Sequence, residues 1–162
     1  MMKSTLRRLA DRVGMDSVQL CSADLEGILT NSDSIVNYEA GLYLAECVPN
    51  RQLTLGDFRI LGVKELREEN LELMPGYLVS PLGFICIAST AGGDAFAVDC
   101  ETGKVYLLSH DKYNEGTISP GWNENHSGFL PDIPINRENI IATADREYDD
   151  IREFLDFLDQ RE

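Results

Sequence analysis

The sequence predicts an α+β fold, a curved antiparallel sheet built as a meander of hairpins and packed with helices from the two ends of the chain. Three observations carry that expectation: closely spaced glycine turns between apolar runs in "STAGGDAFAVDCETGKVYLLSHD", Ser89 to Asp111, and helical periodicity near each terminus. At 162 residues the chain is long enough to bury one sizeable core, so a single domain spanning 1–162 is expected.

At the N-terminal end, "STLRRLADRVGM" sets Leu6, Leu9 and Val13 at helical spacing among Arg7, Arg8 and Arg12, with Gly14 as a C-cap. The basic face of this helix suits an acidic neighbour, such as the C-terminal helix. From Ser22 onward, "SADLEGIL" carries a capping serine and helical spacing, whereas "SIVNYEAGLYLAECV" fits helix or strand, and the structure of 22–56 stays open. Phe58, Ile60 and Val63, bounded by Gly56 and Gly62, read as a strand over Asp57–Val63 leading into a charged connection, "REEN". Two prolines make the approach to Phe84–Ser89 irregular, and that segment reads as a central strand. At the other end, Ile151, Phe154, Leu155 and Leu158 mark one face of a helix whose first turn is rich in acids, which suits the helix dipole.

The remaining strands, Asp94–Cys100 and Lys104–His110, follow from the turns. A two-residue turn at Gly92 and Gly93, next to Asp94, pairs Ile87 with Val98 and Ile85 with Cys100. A second, at Thr102 and Gly103, sets Glu101 against Lys104 as an ion pair and Val98 against Leu107. Both turns put Ile85, Ile87, Phe96, Val98, Cys100, Val105 and Leu107 on one face and Phe84, Cys86, Ala97, Tyr106 and Leu108 on the other. The glycines therefore turn the chain rather than cradle a phosphate, since a strand follows them directly where a phosphate loop would open a helix.

Fourteen basic residues against 28 acidic ones give a net charge of −14, which repels the phosphate backbone and favours a basic protein partner over nucleic acid. No charged start followed by an apolar run marks a leader, and no stretch approaches the length of a membrane span, so the cytoplasm and a monomer are expected, with no membrane contact. Cys21, Cys47, Cys86 and Cys100 lie far apart, without zinc or redox spacing, and read as buried thiols. His110 and Asp111 are adjacent on a strand end and point to opposite faces, while His126 lacks further ligands at usable spacing. No serine sits in a nucleophile elbow. No metal, no cofactor and no catalytic set is expected, and the chain does not read as an enzyme.

The hairpin segment, with the later "YDDIREFLDFL", resembles the SUKH superfamily, the Smi/Knr-type domain. The shared features fall on Ile87 and Ala88, on Gly92, Gly93 and Asp94, on Asp99, on Gly103, on Val105 and Tyr106, and on His110 and Asp111. The resemblance covers roughly the C-terminal two-thirds of the chain; the N-terminal third departs from the family's proline-led helix. It implies a non-catalytic protein-binding domain. Bacterial members resemble immunity proteins that neutralise toxin domains, often nucleases, as in toxin–antitoxin systems; eukaryotic members are regulatory scaffolds, and an enzyme with an unrecognised site is the third reading. The partner-binding surface is expected on the long polar loop, across Asp111, Tyr113, Glu115, Trp122, Glu124 and His126, where acids steer a basic partner and aromatics supply contact area. Trp122 serves either as an exposed anchor or as a plug folded into the core.

Overall fold

The chain begins with helix α1 (Met2–Arg12), followed by strand β1 (Leu20–Cys21), helix α2 (Tyr38–Glu46) and strand β2 (Val48–Pro49), which pairs back on β1. A tight hairpin of β3 (Leu53–Leu55) and β4 (Phe58–Ile60) leads into helices α3 (Val63–Leu71) and α4 (Gly76–Val79). Next come the long strands β5 (Phe84–Thr90), β6 (Ala95–Asp99) and β7 (Val105–Leu108). Short strands β8 (Tyr113–Asn114), β9 (Thr117–Ile118) and β10 (Ile133–Pro134) form a small sheet of their own, and α5 (Arg137–Thr143), β11 (Arg146–Tyr148) and α6 (Ile151–Asp159) close the chain. These elements belong to a computed structural model that describes residues 2–15, 17–29, 34–119 and 132–161.

The main sheet is antiparallel throughout, in the order β3-β4-β5-β6-β7-β11, so the α+β expectation holds; β3 to β7 follow one another as neighbours, and β11 returns later to the edge beside β7. A core lies on each face. On one, Ile85, Ile87, Phe96, Val98 and Val105 meet Leu6 and Leu9 of α1, Tyr43 and Leu44 of α2, and all four predicted residues of α6. On the other, Phe84, Cys86, Ala97, Tyr106 and Leu108 meet Val79, Ile118 and Ile140.

α6 forms where its pattern places it because both pattern and cap agree. Asp150 accepts a hydrogen bond from the Glu153 amide at 2.8 Å, and Phe154 stacks on Phe96 with ring centroids 4.7 Å apart. The basic face of α1 docks on it as expected: Arg8 Nη2 lies 2.8 Å from Asp159 Oδ2, and Arg12 also bonds Asp159. The ambiguous segment resolves as helix α2, capped by Asn37, whose side chain accepts from the Ala40 amide at 3.0 Å. "SADLEGIL" does not form a helix; its Glu26–Ile28 stretch is only a turn. The strand expected over Asp57–Val63 is shorter, because Gly62 begins helix α3 and "REEN" lies within that helix.

Both hairpins turn where the glycines stand, but in a different register. Val98 is buried between Ile85 and Val105, not between Ile87 and Leu107. Two-residue turns of the expected kind need positive φ at both central positions, and only Gly93 and Gly103 adopt it, at +95° and +83°. The first loop thus has three residues, Ala91–Gly93, closed by the Thr90 amide on Asp94 O at 2.8 Å. The second has four, Cys100–Gly103, because the Asp99 carboxylate accepts from the Glu101 amide at 3.0 Å and from Thr102 Oγ1 at 3.0 Å. Lys104 then reaches Glu147 at 3.5 Å on β11 and Glu101 reaches Arg137 at 3.4 Å, so the expected Glu101–Lys104 pair does not form.

A three-residue loop shifts the pairing by one residue and would turn every side chain of β5 to the wrong face. A bulge between Cys86 and Ala88 restores the parity. Beyond it Ile85 pairs with Val98, so the two faces read from the sequence survive the changed register.

Candidate functional site

The β5–β6 turn organises the polar end of the sheet. Thr90 Oγ1 accepts from the Asp94 amide at 3.2 Å, and Asp94 Oδ1 accepts from the backbone amide of His110 at 3.1 Å and meets its Nδ1 at 2.8 Å. The chain after β7 bends into a 3-10 turn over His110–Lys112, which corrects the opposite-face expectation. The bend brings His110 Nε2 to 3.0 Å from Asp111 Oδ1, so both ring nitrogens are engaged by carboxylates.

Helix α3 supplies the facing wall. Asn70 Nδ2 donates to Leu66 O and to Cys86 O, each at 2.9 Å, and Asn70 Oδ1 accepts from the Cys86 amide at 2.8 Å, which satisfies the strand's backbone at the bulge. Its neighbour Glu69 is only 8 % exposed, and burial pushes its carboxyl up to about 7 although Arg59 opposes the shift. Between these walls lies a cleft of about 300 Å³ lined by Arg59, Glu69, Leu73, Met74, Ser89, Thr90, Gly93 and His110. Arg59 and Ser89 are cross-strand partners on β4 and β5, so their side chains leave the sheet on the same side.

A second polar cluster sits at the other end of β6. Asp99, fully buried, is bound by Arg137 Nη2 at 2.8 and 2.7 Å, and the Arg137 guanidinium lies 4.6 Å over the Phe84 ring. Gly103 lies beside it; a side chain there would collide with Asn37 Oδ1 at 2.5 Å. This cluster locks the turn to α5 and α2.

Three of the loop residues named from the sequence lie among the described residues. Asp111 and Glu115 are exposed, Glu115 with φ +36°. Tyr113 is 4 % exposed and packed in the second core rather than on a binding surface, and its hydroxyl has no hydrogen-bond partner among the described residues. Trp122, Glu124 and His126 lie outside the described residues. Of the thiols, Cys47, Cys86 and Cys100 are buried, and burial pushes Cys100 up to about 12 and Cys86 well above its ordinary value, which keeps them protonated and inert. Among the described residues, no group of three or more His, Cys, Asp or Glu is arranged to hold a metal.

Sequence reading missed Glu69 and Arg59, one placed in a solvated charge run and the other in a strand. The signal was spacing: Glu69 and Asn70 follow the apolar Leu66 by three and four residues, on the same helical face. No protein-family model, curated protein or solved structure matches this chain. Among the described residues no helix is long and apolar enough to cross a membrane.

Proposed function

We propose that this chain is a non-catalytic protein-binding domain of the SUKH type, an immunity protein that binds a basic toxin domain in the cytoplasm and neutralises it. One observation carries the reading: the motif residues behind the resemblance are committed to structure. Asp94 holds His110, Asp99 holds Arg137 and its own turn, and Gly93 and Gly103 supply positive φ, which leaves none of these side chains free for chemistry. Function then falls to the surface, which carries the surplus of acid, including the exposed Asp111, Glu115 and Asp132 around the small sheet. A nuclease toxin offers a basic substrate cleft, and an acidic inhibitor gains association rate there by electrostatic steering.

The test is co-expression with toxin-like products of neighbouring genes, scored by growth rescue and by a purified complex. The expected result is a complex whose association rate falls with salt and falls further in the D111K/E115K variant at unchanged melting temperature. A complex whose affinity and association rate ignore both salt and the charge reversal removes the acidic-steering reading. The absence of any toxic neighbour, with binding to a cell-wall or signalling enzyme instead, would favour the regulatory members of the superfamily.

A further inference from the structure

The cleft between α3 and the β5–β6 turn holds three polar side chains that have no side-chain hydrogen bond among the described residues. Glu69 and Ser89 are 8 % and 6 % exposed, and neither makes a side-chain hydrogen bond or close ion pair among the described residues. The same holds for the guanidinium of Arg59, which feels the charge of Glu69 without closing an ion pair on it. The polar atoms of Glu69 and Ser89 are not sealed in the interior, so their bonding capacity is directed at the shared void and open to a ligand that enters it. The other polar wall is partly engaged: the His110 nitrogens are held by Asp94 and Asp111, and Thr90 Oγ1 accepts from the Asp94 amide. Leu73, half exposed, and Met74 complete the lining with apolar surface.

The chemistry of these groups selects a ligand. An inorganic anion would suit Arg59 but bring negative charge against Glu69, and a simple amine would suit Glu69 but meet the Arg59 cation. A molecule carrying a carboxylate and an ammonium on one carbon satisfies both at once, with the Ser89 hydroxyl free to bond either. We propose that this cleft binds a free α-amino acid with an apolar side chain, its carboxylate on Arg59, its ammonium on Glu69 and its side chain on Leu73 and Met74. The volume of about 300 Å³ lies at the low end for ligand pockets and suits a molecule of this size. The site is independent of the partner surface proposed above.

The experiment is titration of the whole chain, by calorimetry and by amide shifts of Ser89 and Gly93, with L-leucine and with its two halves, 4-methylpentanoate and isopentylamine. L-leucine should bind saturably, and each half-molecule at least ~10-fold more weakly, since each forfeits a charge-assisted contact. Glu69→Gln and Arg59→Gln should each weaken L-leucine by a similar factor, and only Glu69→Gln should abolish isopentylamine binding. Equal affinity of L-leucine and either half, unchanged binding in both variants, or no saturable shift by about 10 mM, well above a millimolar dissociation constant, overturns the proposal. The comparison of half-molecules uses the unaltered protein, so it decides the matter even if a variant fails to fold.

Discussion

Replacing Glu69 by Gln keeps the shape of the side chain and removes its titration, which isolates the energetic consequence of burying this carboxyl. Its pKa stands at about 7 against an ordinary 4.5, because desolvation disfavours the charged form more than Arg59 supports it. A raised carboxyl pKa means that the folded state holds the proton more tightly than the unfolded chain. The resulting stability is complete below the ordinary pKa and is lost as pH rises through about 7. At about 1.4 kcal/mol per unit the gap would be worth ~3 kcal/mol, and water at the mouth of the cleft screens this to ~1–2 kcal/mol. Urea unfolding of both proteins at pH 5, 6, 7 and 8 measures it. The Gln variant should gain ~1–2 kcal/mol on the wild type between pH 5 and pH 8, with unchanged denaturant slopes. If the difference between the two proteins is the same at pH 5 and at pH 8, the carboxyl titrates as it would in water and the desolvation argument fails.

Two further outcomes follow from the polar and thiol groups. Arg137→Ala strands the fully buried Asp99 carboxylate and should cost about 3 kcal/mol in urea unfolding, the lower end for a broken buried pair because Arg137 is 31 % exposed; adding Asp99→Asn should recover part of the loss. A thiol reagent should titrate one cysteine, Cys21, in the folded protein and all four in urea, and rapid labelling of Cys47, Cys86 or Cys100 at neutral pH would contradict their burial.

What the sequence made legible was whatever its periodicity encodes. Ile151, Phe154, Leu155 and Leu158 define α6 because spacing, cap and burial all demand the same element, and the alternation through Ile85, Phe96, Val98 and Val105 identifies the sheet faces for the same reason. Register was not legible, since it depends on Asp99 binding its own turn and on the bulge at Ile87, and neither leaves a mark in an apolar-polar pattern. The cleft was hidden for a related reason. Charged residues read as solvated until a helix turns them inward, and the helical nature of "REEN" depends on α3 packing over β5. Tyr113 was misplaced because an aromatic in a polar loop looks like an anchor, whereas here the small sheet folds it inward.

The Asn70 amide works as a clasp between helix and sheet. It binds one N–H and one C=O of a single residue, Cys86, which adjoins the bulge at Ile87. Both groups are satisfied in a site where Asn70 is 1 % exposed and Cys86 fully buried, so losing either bond would leave a buried polar group unpaired. Because Glu69 is the preceding residue on that helix, the same tie that anchors α3 to β5 also fixes where the carboxyl stands in the cleft.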